Sequence, residues 1–253
     1  RQMCIRDRHT LGLRGLLLLC AVCFAVSALW ERTLPIPHAL AARSCLRLPP
    51  KALFRQARPL LQLAMVLALL NLAVVPAFTV GVPLLIVRYY AFSDTALAVT
   101  QSAMSAGGLL GGVLAGAFAK RLFLRRGTAA LWCITAVCAL LGLAVLPCVP
   151  AAAGYIAVTS LAFCMMAAAA LFQILLFTAI QAHAPTGQTG RFMSLITVCA
   201  CLTQPAGQAA FGLLYGHFAA LPSAVLFTAA AASIFISLAA SHIFKRAASF
   251  SKS

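Results

Sequence analysis

The stretch Pro59-Leu-Leu-Gln62-Leu-Ala-Met-Val-Leu-Ala-Leu-Leu-Asn71-Leu-Ala-Val-Val-Pro76-Ala-Phe-Thr-Val-Gly81-Val-Pro83-Leu-Leu-Ile-Val87 contains no charged side chain. A helix that crosses a bilayer needs roughly 20 mostly apolar residues. This run exceeds that length, so a tilted or kinked span is expected. Its apolar residues continue around every face, which suits lipid better than one-sided packing. Pro76, Gly81 and Pro83 are predicted to bend it, because proline removes a helix donor and crowds the preceding turn. Six further runs are mostly apolar over a comparable length, at about 11–30, 95–119, 128–148, 153–182, 190–217 and 221–243, with a single arginine in the first (Arg14) and in the fifth (Arg191). Pro205 is predicted to bend the span at 190–217.

The composition agrees with this reading. Of 253 residues, 63% are hydrophobic, against roughly 45–50% in an ordinary chain. Only 9% are charged, and the mean hydropathy is +1.01. A soluble globular domain needs more polar surface, and a disordered chain needs low hydrophobicity. A net charge of +16 and a pI near 10.3 would suit a nucleic-acid binder only if a soluble basic face existed. The apolar runs argue against such a face, so no nucleic-acid partner is expected. The ten cysteines fall mostly in or beside apolar runs, where a thiol behaves as a small apolar residue. Cys20 and Cys23 form a CxxC inside a leucine-rich run with no second pair and no nearby histidine, so neither metal nor cofactor is expected.

The placement of Lys and Arg sets the orientation. Arg32, Arg43, Arg47, Lys51, Arg55 and Arg58 occupy the 31–58 connection. Lys120, Arg121, Arg125 and Arg126 occupy the next loop on that side, Arg191 the following one, and Lys245, Arg246 and Lys252 the tail at 244–253. These segments hold most of the 19 basic residues, so they and the C-terminus are expected to be cytoplasmic. Arg1, Arg6, Arg8 and Arg14 break the pattern. A signal peptide would explain them but would place the basic 31–58 loop outside. The alternative is that residues 1–10 are a non-native or truncated segment of a longer protein. Within 31–58, Lys51, Arg55 and Arg58 at i, i+4, i+7 fit a short helix on anionic lipid; a flexible basic linker fits equally.

The six spans from 59 to 243 divide into two sets of three with the same order: long span, glycine-rich span, apolar span. Gly108, Gly112 and Gly116 lie at four-residue spacing, preceded by Gly107 and Gly111, and Gly207, Gly212 and Gly216 occupy the corresponding span. Small residues at this spacing let helices approach closely in lipid. Triplets of opposite orientation are the inverted-repeat plan of many secondary transporters. The expected class is therefore an all-α polytopic membrane protein of seven transmembrane helices, the last six forming two inverted three-helix repeats. The amides Gln62, Asn71, Gln101, Gln173, Gln181, Gln204 and Gln208 all lie in the spans 59–87, 95–119, 153–182 and 190–217. An unpaired amide is costly in lipid, so these four spans are expected to face an interior or watery path, and the other three to face lipid.

This arrangement resembles the C-terminal half of a major facilitator superfamily transporter, with the last helix of the first half and the central loop attached. In that family the first, second, fourth and fifth helices of each half line the cavity. The stretch Gly108-Leu-Leu-Gly-Gly-Val-Leu-Ala-Gly116-Ala-Phe-Ala-Lys120-Arg121-Leu-Phe-Leu-Arg125-Arg126-Gly127 resembles the family's cytoplasmic loop motif. Lys120 stands where an acid is expected, and Leu122 to Leu124 lack the glycine. The stretch Thr178-Ala-Ile-Gln-Ala-His-Ala-Pro185-Thr-Gly-Gln-Thr-Gly190-Arg191-Phe-Met-Ser194 resembles the turn between the fourth and fifth helices of a half. Its Gly-Arg step, and Asn71 followed by Pro76 and Pro83, are similar to the efflux branch that exports drugs, macrolides and siderophores.

The resemblance implies alternating access to a central site in a bacterial inner membrane. The protein would act as a monomer completed by its N-terminal half, exporting a small amphipathic compound. Asn71, Gln101, Gln173, Gln204 and Gln208 are the candidate substrate-path residues. Gly116, Lys120, Arg121, Arg125, Arg126, Gly190 and Arg191 are candidates for the cytoplasmic gate. Pro76, Pro83, Gly108, Gly112, Pro205, Gly212 and Gly216 are candidates for packing and kinks. No Asp or Glu lies within a span, since Asp7, Glu31 and Asp94 are terminal or in loops. A coupling acid would therefore have to lie in the other half. Two alternatives stand beside this reading: a permease subunit of a multi-component transporter, and a truncated product without function. A membrane enzyme is disfavoured, because no serine in a span has a carboxylate or suitable histidine beside it.

Overall fold

In hydrocarbon every backbone N–H and C=O must be satisfied within the chain, so uncharged runs of this length fold as helices. The computed structural model describes residues 12–33, 58–117, 127–183, 189–218 and 221–250, and all regular structure among them is helical. The chain divides into two units, Arg1–Arg47 and Leu48–Ser253. In the first unit, α1 spans Gly12–Arg32 and ends where the Thr33 hydroxyl donates to the Trp30 carbonyl.

The second unit has six long helical segments. The first, called α2, runs over 58–89 in pieces: Arg58–Ala73, Val75–Thr79, Gly81–Leu84 and a π-helical turn Leu85–Tyr89. Then come α3 (Asp94–Ala117), α4 (Gly127–Ala144), α5 (Ala151–His183), α6 (Thr189–His217) and α7 (Pro222–Phe250). Five described helices, α2 to α5 and α7, are long and apolar enough to cross a membrane. In α6 the residues Gln204, Pro205 and Gln208 dilute the apolar run. α4 stops at Ala144, ahead of turns that lead to Val149, while α7 runs beyond residue 243 to Phe250.

Proline chemistry explains the segmented α2. Pro76 has no N–H to give the Leu72 carbonyl, and the Ala77 N–H bonds the Val74 carbonyl in a tighter turn. Pro83 likewise leaves the Thr79 carbonyl without its helix donor, and the chain then widens into the π turn, where the Tyr90 N–H reaches back to Leu85. In α6 the helix stays continuous through Pro205.

The packing carries the inverted repeat. α3 lies along α5, and α6 lies along α2. α4 packs on α5, and α7 packs on α2. Exchanging α2 with α5, α3 with α6, and α4 with α7 turns each of these contacts into another. The same exchange maps the α4–α7 and α2–α5 contacts onto themselves and relates α5–α6 to α2–α3. The core lies around α2, α4, α5 and α7, with Phe78, Leu85, Ile86, Leu131, Ile134, Leu141, Leu176, Ile180 and Leu226 fully buried.

The glycine face that packs is not the expected one. A Cβ at Gly107 would fall on the Phe163 carbonyl oxygen, and one at Gly111 on that of Ala167. A Cβ at Gly108, Gly112 or Gly116 would meet nothing within 4 Å, nor would one at Gly212 or Gly216. The α3–α5 approach therefore uses the stripe one residue earlier, continued by buried Ala115. Within the second unit, Gly108, Gly112, Gly212 and Gly216 do not mediate it. On α6 the close approach is at Gly207, whose Cβ would fall on the Leu72 carbonyl oxygen. That carbonyl is the one Pro76 leaves without a helix donor.

Candidate functional site

The helices α2 and α5 meet around a cavity of about 70 Å³. Its floor is apolar and buried: Leu67, Leu70 and Val74 from α2, Ile134 from α4, and Met165 and Phe172 from α5. Half-buried Val75 and Ala169 flank it. Two of the five substrate-path candidates complete the lining, Asn71 from α2 and Gln173 from α5. Asn71 is half-buried, and its Nδ2 donates to the Leu67 carbonyl one turn earlier, at 3.0 Å. Gln173 is exposed.

The other candidates lie elsewhere. Gln101 is exposed on α3, and Gln204 and Gln208 are half-buried on α6. None of the three lines the α2–α5 cavity. Gly116 and Gly190 are exposed at the end of α3 and the start of α6. Arg191 lies on α6, but its side chain is outside the described residues, as are Lys120, Arg121, Arg125 and Arg126. Only 22% of the α3 span and 28% of the α5 span are buried, against 50% for α2, α4 and α7. Two of the amide-bearing helices thus leave the most surface open within the unit.

Three features escaped the sequence reading. All four tyrosines of the chain donate a hydroxyl to a main-chain carbonyl on another part of the bundle. Tyr89 reaches Val145 (3.4 Å) and Tyr90 reaches Ala144 (3.3 Å), serving carbonyls that the end of α4 leaves without helix donors. Tyr155 reaches Ala96 (3.1 Å), and Tyr215 reaches Ala77 (3.4 Å). Gly154 and Gly81 make room for the hydroxyls of Tyr90 and Tyr215. Tyr89, Tyr90, Phe92 and Tyr155 also stack in sequence, with ring centroids 5.1–6.0 Å apart. Burial pushes the Tyr90 phenol above its ordinary pKa, and neighbouring Tyr89 adds to the effect. The signal available in the sequence was the amphipathic Tyr-Tyr pair at the end of a long apolar run.

The second feature is a buried hydroxyl knot between α4 and α7. Thr135 Oγ1 lies 2.8 Å from Ser233 Oγ and 3.0 Å from Ser237 Oγ, and the Leu131 carbonyl accepts from the group. The third joins α3 to α5, where Thr100 and Thr159 hydroxyls lie 2.9 Å apart. Ser233 and Ser237, four residues apart on one run, were the readable sign of the knot. Among the described residues no group of three or more His, Cys, Asp or Glu is placed to hold a metal ion.

A bundle of apolar helices related by an internal exchange, with amides at the central helix pair, defines a class of membrane transport protein. The family model of the Major Facilitator Superfamily matches residues 10–208, and the chain belongs to that family of membrane transporters. Comparison with curated proteins and with solved structures gave no match.

Proposed function

We propose that this chain is part of a secondary transporter that exports a small amphipathic compound by alternating access. The observation that carries the reading is the meeting of Asn71 and Gln173 at one cavity between α2 and α5, the two helices that the internal exchange relates. Ligand sites in such folds lie near the bilayer midplane at the repeat interface. An apolar pocket with a few amides suits a neutral or amphipathic solute. The Gly190-Arg191 step, and Asn71 followed by Pro76 and Pro83, favour the efflux branch of drug, macrolide and siderophore exporters.

In this reading 59–243 is the C-terminal half and α1 the last helix of an N-terminal half. The two rock about the site as a monomer in a bacterial inner membrane. The C-terminus and the loops holding Arg121, Arg125, Arg126 and Arg191 are cytoplasmic, where the arginines pair with acids or lipid phosphates as that side closes. The test is accumulation of a neutral lipophilic dye in cells that express this chain together with the N-terminal half it is proposed to complete. Lower accumulation than in vector-only cells, restored by Asn71→Ala with Gln173→Ala, supports export. Equal accumulation in vector-only cells and in cells holding both halves overturns it.

A further inference from the structure

We propose that the α2–α5 notch is a subsite for a small branched alkyl group on an uncharged solute whose adjacent N–H or O–H is bound by Asn71. The inference rests on the transporter reading and gives its solute a chemistry. Size comes first. The notch is open on one side and holds about 70 Å³, less than half the roughly 150 Å³ of an enclosed cavity that takes benzene, so the part of a solute that seats in it is of isopropyl size. The floor, from Leu67, Leu70, Val74, Ile134, Met165 and Phe172, offers no side-chain donor and no acceptor beyond the weak Met165 thioether. The apolar floor gives water few polar partners and suits an apolar group better.

The polar side of the notch is selective too. Asn71 Nδ2 is engaged with the Leu67 carbonyl, which leaves Oδ1 as an acceptor in search of a donor. Among the described residues Gln173 has no hydrogen-bond partner, and at the exposed side its amide can both give and accept. Among the described residues no charged side chain lines the notch, so a carboxylate or ammonium entering it would lose its hydration without compensation from them. Val74, on the floor, is also the residue at which α2 breaks ahead of Pro76. A bound group therefore touches the joint between the two parts of α2.

The probe is dansyl N-isopropylamide, with the matched carboxylate dansylglycine, added to the full chain in lipid nanodiscs. Saturable fluorescence enhancement is expected for the amide and not for the carboxylate. Asn71→Ala should weaken amide binding about tenfold, the value of one good hydrogen bond. Ala169→Leu, which fills the notch from its rim, should abolish saturable binding. All variants should elute and melt as the parent does. Because Asn71 bonds only within its own helix turn, its variant tests the site without disturbing helix packing. Amide binding within twofold of the parent in both Asn71→Ala and Ala169→Leu overturns the subsite, as does equal binding of the carboxylate. If those variants bind normally while dye accumulation in cells is still lowered, the subsite fails and export stands. If they lose binding while accumulation never changed, the subsite stands and export fails.

Discussion

Gly107 and Gly108 are chain neighbours with opposite surroundings. A methyl group at Gly107 runs into the Phe163 carbonyl, which belongs to a helix backbone and cannot swing away. A methyl group at Gly108 meets nothing in the second unit. Gly107→Ala should therefore lower stability by about 1–3 kcal/mol, the usual cost of overpacking. Gly108→Ala should leave it unchanged or raise it slightly, since alanine is the better helix former. Thermal unfolding in detergent separates the two, and equal melting points would show that the α3–α5 approach is looser than described. The sequence displayed both stripes at four-residue spacing without ranking them. One residue turns a helix by about 100°, and the identity of the packed stripe depends on where α5 lies.

At the scale of elements, the α4–α7 contact is held by the hydroxyl knot as well as by apolar packing. Interhelical hydrogen bonds in membranes average about 0.6 kcal/mol and reach about 1.7. A double-mutant cycle of Thr135→Val with Ser233→Ala should give a coupling energy in that range, read from unfolding in detergent. Zero coupling would mean that each hydroxyl is satisfied within its own helix, as the bond from Thr135 to Leu131 would allow. These two spans carry no amide, and the sequence reading assigned them to lipid on that ground. Serine and threonine hydroxyls, being small, can be buried between helices at little cost in volume, so the absence of amides does not by itself mark a lipid-facing span. The segmentation of α2 was more legible. Pro76 and Pro83 announce lost backbone donors wherever they fall in a helix, whatever surrounds them.

Across the second unit, the decisive property is the exchange that relates most of its helix contacts in pairs. Triplets of three spans each must run in opposite directions across a bilayer, and the exchange brings α2 and α5 into contact with each other. If the charge pattern orients the bundle as proposed, Cys45 in the basic connection faces the cytoplasm. An impermeant thiol reagent should then leave Cys45 unlabelled in intact cells and label it after permeabilisation. Labelling in intact cells would invert the topology and move the arginine-rich loops outside.

Membrane residence and the existence of the helices follow from the sequence by itself, because uncharged apolar runs in lipid have no other way to satisfy their backbone. Family membership was legible for a related reason: loop motifs such as Gly108 to Gly127 are local and survive in one dimension. The meeting of Asn71 with Gln173, the choice of Gly107 over Gly108, and the reach of four tyrosines to distant carbonyls were decided by tertiary structure. Each depends on the rotation of one helix about its axis relative to another. In a span that is apolar on every face, the sequence carries almost no signal for that angle, and only packing against specific neighbours sets it.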